Sequence, residues 1–185
     1  MAERFYNKKT IGGKLDCENF SQLPRKCQEM IFETLNRTGD YRIFHGLDIG
    51  SFKCDSPIET MLYIAFGVVD LLYYNCTFRL EKQVEIKHQN GIFKVDFLFD
   101  TEVNFEECGS CENELKLVIE CDGHEYHHNT KAQVKRDYER DLALKNMGYE
   151  VIRFSGSQLY DNPWKCAEKV LDFIAMKVGK TDRGW

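Results

Sequence analysis

The chain has 185 residues, 43% of them hydrophobic and 13% aromatic, which is enough for an ordinary buried core and excludes a disordered or fibrous chain. Its formal charge of −5 is unevenly spread: residues 100–125 carry nine acids and one base, Lys116, a local −8 that leaves +3 for the rest. The sum therefore excludes a simple basic coat for nucleic acid but not a nucleic-acid partner. No apolar run is long enough to span a bilayer, and the polar start Met1-Ala2-Glu3-Arg4-Phe5 lacks the apolar stretch of a signal peptide. The expectation is a soluble, cytoplasmic protein without a membrane partner, whose 8 cysteines are reduced thiols rather than disulfides.

Residues 1–54 read as a polar, glycine-containing extension with one helix over about 24–35. A domain over 55–178 follows, then a polar tail, 179–185. Ser56-Pro57-Ile58-Glu59 is a helix start, with Ser56 as N-cap, Pro57 first and Glu59 third. Apolar residues at helical spacing then carry the helix to about residue 74. Two strands follow, at about 77–86 and 92–99, joined by the turn Gln89-Asn90-Gly91. In the second, alternation puts Phe93, Val95, Phe97 and Phe99 on one face and Lys94, Asp96 and Leu98 on the other. Residues 101–114 read as an acidic loop.

A third strand spans about 115–121, and Gly123 permits a sharp turn after it. The spacing predicts a helix over 131–147, with Val134, Tyr138 and Leu142 on one stripe and Gly148 as its stop. A buried strand over 149–154 and an amphipathic helix opened by Asn162-Pro163 complete the order α-β-β-β-α-β-α. That order implies an α/β fold, a mixed sheet flanked by helices.

Three acids stand out. Asp96 interrupts an apolar strand, and Glu120 and Asp122 project from one side of another. If the strands adjoin, the acids repel one another without a cation. Hard oxygen ligands of this kind suit Mg²⁺ or Mn²⁺, which also binds substrate phosphate. The competing reading of such an acid is a salt bridge with Lys or Arg. Glu59 either completes a capping box with Ser56 or points into the site, and the two roles are compatible. Within Gly123-His124-Glu125-Tyr126-His127-His128, His127 is the candidate general base or acid.

Lys131, Lys135 and Arg136 are the candidate phosphate contacts, set against an internally paired, solvated helix face. Cys108 and Cys111 have the spacing of a zinc knuckle. A Zn²⁺ site would need further ligands, such as Cys17, Cys54 or a second chain, and lone thiols are the preferred reading.

The succession Glu59, Asp96, Glu120-Cys121-Asp122 resembles the PD-(D/E)XK, restriction-endonuclease-like phosphodiesterases. Residues 118–127, 136–141 and 148–154 are similar to its very-short-patch-repair-endonuclease-like branch. The resemblance implies a Mg²⁺-dependent nuclease acting on DNA; the roles open to it are repair, restriction or mobile-element processing, and RNA is the alternative to DNA as partner. It makes Asp96 the central metal ligand, joined by Glu120 and the Cys121 carbonyl, and puts His127 at the branch's catalytic histidine. The superfamily's lysine, two positions after the Glu, is Asp122 here. His127, Lys135 or a second metal would then take its role, or the chain is a non-catalytic module that binds nucleic acid or a protein. One active centre cuts one strand, so double-strand cleavage implies a homodimer or a partner.

Overall fold

The computed structural model describes residues 17–38, 54–70, 78–89, 91–105, 114–123 and 131–178. Its elements are α1 (Cys17–Gln22), α2 (Arg25–Thr38), α3 (Pro57–Val69), β1 (Glu81–His88), β2 (Gly91–Asp100), α4 (Thr101–Phe105), β3 (Lys116–Asp122), α5 (Lys131–Asn146), β4 (Tyr149–Ser155), α6 (Gly156–Asp161) and α7 (Pro163–Val178). The strands form one mixed sheet in the order β1-β2-β3-β4, antiparallel up to β3 and parallel between β3 and β4. Helices flank it, the architecture expected of a restriction-endonuclease-like α/β fold. Among the described residues no helix is long and apolar enough to cross a membrane.

Two apolar clusters lie in this arrangement. The larger joins Phe97, Phe99, Leu117, Ile119 and Phe154 of the sheet to α1, α2, α3 and α7; Met30, Leu62 and Leu171 are among its buried members. The smaller joins Ile86, Val95, Leu98 and Val118 to Leu144 of α5. Leu144 is the buried apolar residue of α5, while the stripe Val134, Tyr138 and Leu142 faces solvent at 56%, 68% and 46% exposure.

Local chemistry sets the boundaries. Ser56 accepts a hydrogen bond from Glu59 N–H (3.3 Å) and Pro57 opens α3. Gly148, at φ +88°, ends the α5 turn. Asn162 accepts from Lys165 N–H (3.0 Å) at the start of α7. Strand β1 begins at Glu81, four residues later than the sequence suggests. The N–H groups of Phe78 and Arg79 are instead bound by the side chains of Asp70 and Asn104, both at 2.6 Å, and do not enter the ladder.

Three short helices are additions to the expected elements: α1, ahead of the expected α2, and α4 and α6. Part of the acidic stretch winds into α4, where Asp100 accepts from Glu102 N–H (2.9 Å) and Thr101 ties to Leu115 through N–H and hydroxyl. Helix α6 starts on a reciprocal capping box between Ser155 and Gln158.

Strand β2 departs from simple alternation. Phe97 and Phe99 belong to the larger cluster, but Phe93 and Val95 pack with the smaller one, as Leu98 does. The expected single face of four residues is therefore split. The change of face coincides with one point of the β1–β2 ladder. Gln83 has φ +53°, and Gln83 and Asp96 are the facing pair missing from the register between Lys82↔Phe97 and Val84↔Val95. The ribbon turns over there, and Asp96 stands at the turnover.

Candidate metal centre

The β2–β3 register runs from Asp100↔Lys116 to Phe97↔Ile119. Continued by one residue, it puts Asp96 opposite Glu120 and their side chains on one face. The backbone ladder stops there, and the Asp96 carboxylate takes its place, accepting from Cys121 N–H at 2.7 Å. Glu120 is 5% exposed, and its carboxyl lies within the field of the Asp96 charge. Burial pushes the Glu120 carboxyl from 4.5 up to about 7, Arg140 opposing and the Asp96 charge adding to the rise. Asp96 is also raised by burial, against the pull of the Cys121 N–H, the Glu120 hydrogen bond and Arg140.

Glu59, on the first turn of α3, approaches the pair from another element. Its carboxylate accepts from the Gln83 amide at 2.8 Å. It is raised first by burial, with the Asp96 charge contributing and the Ser56 hydrogen bond opposing. The Glu59 N–H is capped by Ser56, and its acid group lies within the field of Asp96.

Arginines answer the remaining charges. Arg140 of α5 places Nη2 2.5 Å from Glu120 Oε1 and 2.6 Å from the Lys94 carbonyl oxygen. Arg153 of β4 bonds Asp122 at 3.1 Å and Asp141 at 2.6 Å. The salt bridge weighed for these acids is therefore made at Glu120 and Asp122, while Asp96 takes a backbone donor. Among the described residues no three acid, thiol or imidazole groups are gathered closely enough to hold a metal ion. What the structure brings together is the neighbouring pair Asp96 and Glu120 on adjacent strands, with Glu59 within the field of Asp96 and Asp122 tied to Arg153.

The thiol of Cys121 packs against the larger cluster and its pKa is raised by burial, so the residue's polar contribution here is its backbone. Lys131, Lys135 and Arg136 are exposed on α5, and Lys135 pairs with Glu139 at 3.6 Å. His127, Cys108 and Cys111 lie outside the described residues.

Three residues of this centre escape the sequence reading. Gln83 carries no local signal of its positive φ. Arg140 is visible only as one of several bases on a mixed-charge helix, and Arg153 as a charge within a buried strand. The latter carried the better signal, since a charged residue inside an apolar strand needs a partner.

A model of the restriction-endonuclease-like family REase_MTES_1575 matches residues 77–174, more than half of the chain and all four strands. No curated protein matches the chain, and no solved structure matches it.

Proposed function

Because the chain belongs to the restriction-endonuclease-like family REase_MTES_1575, within the PD-(D/E)XK superfamily, we propose that it is a metal-dependent endonuclease that hydrolyses phosphodiester bonds of DNA. The observation that carries this reading is the pairing of Asp96 with Glu120 across adjacent strands inside the matched segment. Two neighbouring carboxyls, Glu120 buried and Asp96 half-buried, with the Arg140 guanidinium on Glu120, fit a divalent cation by their chemistry: they are hard oxygen donors whose proton affinity is raised first by burial and, at Glu120, also by the Asp96 charge.

In this reading Asp96 and Glu120 hold Mg²⁺ or Mn²⁺, aided by the Cys121 carbonyl and Asp122, with Glu59 supporting from α3. The ion supplies Lewis-acid polarisation at the phosphoryl group. The Cys121 N–H fixes the Asp96 carboxylate, and Gln83 fixes Glu59. His127 assists proton transfer, and Lys131, Lys135 and Arg136 offer phosphate contacts along α5. The runs 118–127, 136–141 and 148–154 support the narrower description of a very-short-patch-repair-endonuclease-like enzyme.

The test is cleavage of single-stranded, duplex, mismatched and supercoiled DNA, and of RNA, in Mg²⁺, Mn²⁺ or EDTA, comparing wild type with Glu120→Ala. Metal-dependent cutting that the substitution abolishes is expected. A folded wild type that cuts nothing moves the reading to a non-catalytic module that binds nucleic acid or a protein. The specific support for that second reading is Asp122, which takes the superfamily's lysine position and is tied to Arg153.

A further inference from the structure

Arg140 reaches the acid pair from α5, and its side chain is 25% exposed. Three groups hold it. One is Glu120 Oε1; the others, the Lys94 carbonyl oxygen and the face of the Phe93 ring at 5.8 Å, both belong to β2. Two of its three anchors thus survive if Glu120 turns to another cation. Arg153, the other arginine nearby, is engaged by Asp122 and Asp141. A guanidinium cannot shed its charge, so it and a divalent ion cannot share one carboxylate without strong repulsion.

We propose that Arg140 is a place-holding cation at Glu120: it neutralises that carboxylate in the metal-free protein, yields it when a divalent ion binds, and stays at the site edge on the Lys94 carbonyl and the Phe93 ring. Its released N–H groups are then available to a phosphate oxygen, a duty for which position 122 offers no lysine. Arg140 is a positioning residue that acts through Glu120 and the substrate phosphate. The inference rests on the nuclease reading and adds to it an exchange of cations.

The test is calorimetric titration of Mn²⁺ into the full chain, without nucleic acid, at fixed pH 8.5, for wild type, Arg140→Gln and Arg140→Lys. Circular dichroism establishes that each is folded. Arg140→Gln keeps amide donors and removes the competing charge, so it is expected to bind Mn²⁺ on the order of tenfold more tightly than wild type. Arg140→Lys stays near wild type. Cleavage moves the opposite way: kcat of Arg140→Gln falls by about a hundredfold, and Arg140→Lys recovers part of it.

If wild type binds Mn²⁺ and cuts, but Arg140→Gln binds with unchanged or weaker affinity, the place-holding role is overturned and the nuclease reading stands. If folded wild type and Arg140→Gln neither bind Mn²⁺ nor cut, the nuclease reading itself fails and takes the inference with it. Should Arg140→Gln not fold, guanidinium NMR of wild type decides, the Arg140 signal being assigned by its loss in Arg140→Lys. A shift of that signal on Mg²⁺ saturation is expected, and an unmoved signal overturns the proposal.

Discussion

Replacing Arg153 by methionine removes the cation that joins β3, β4 and α5 while keeping most of the side chain's apolar length. Arg153 is 20% exposed, and its partners Asp122 and Asp141 are 19% and 30% exposed. Breaking a fully buried pair costs about 3–5 kcal/mol, because the abandoned charge stays desolvated, whereas an exposed pair contributes about 0–1 kcal/mol. The exposures place this cluster between the two and nearer the buried end. Solvent at the Asp141 side trims the loss to about 2–3 kcal/mol. For a chain of this size that lowers Tm by roughly 5–10 °C.

Thermal and urea unfolding at neutral pH measure it, and a double-mutant cycle assigns it. Asp141→Asn should destabilise wild type by about 1–2 kcal/mol more than it destabilises Arg153→Met. A Tm for Arg153→Met within about 1 °C of wild type, or a cycle that closes with no coupling, would refute the reasoning and show the cluster to be effectively solvated.

Further outcomes follow from the same geometry. Asp96→Asn keeps an acceptor for Cys121 N–H and removes a buried charge, so it should match wild-type stability, whereas Asp96→Ala strands that N–H and should cost about 1–3 kcal/mol in urea unfolding; both should abolish metal-dependent cleavage. Glu120 binds its proton more tightly in the native state than in the unfolded chain, so in metal-free protein its contribution to stability falls as pH rises from 4.5 to about 7. Glu120→Gln should flatten that part of the stability–pH curve, and an equally steep decline in the variant would assign it to other groups. A Cβ on Gly156 would lie 3.2 Å from the Asp122 carbonyl oxygen. Gly156→Ala must therefore push the end of β3, and a loss of about 1–2 kcal/mol is expected by the same unfolding assay. Burial pushes the thiols of Cys27 and Cys54 up to about 12, so neither should be alkylated at pH 8 before denaturation, as peptide mass mapping would read.

The parts of this fold that the sequence made legible are those governed by neighbours along the chain. Ser56-Pro57 and Asn162-Pro163 open helices, and Gly148 closes one, because capping and φ preference act within a few residues. The adjacency of Asp96 and Glu120 was also within reach, since strands consecutive in the chain are commonly neighbours in a sheet.

What was hidden depends on distant partners. The start of β1 moves because Asp70 and Asn104 bind the backbone donors before it. The faces of β2 split opposite Gln83, whose positive φ no local propensity encodes. Arg140 and Arg153 resemble ordinary surface charges until α5 and β4 are laid on the sheet beside Glu120 and Asp122. The box Ser155-x-x-Gln158 has the spacing of a helix start, but the six residues of α6 are too few to show helical periodicity.

The turnover at Gln83 and Asp96 also bears on compliance. A sheet resists bending through its cross-strand hydrogen bonds and through side chains that interlock on a common face. Both are interrupted here along the same line: one facing pair is absent from the ladder, and the flanking Val95 and Phe97 belong to different clusters. Flexing the β1–β2 ribbon therefore costs least at this line. Lys94 and Phe93, which hold Arg140, sit on the turn side of the line. Phe97, which is locked into the larger cluster, sits on the other, and Asp96 lies at the crease. Deflection of the hairpin would carry the Arg140 anchors with respect to the acids while leaving the main core undisturbed.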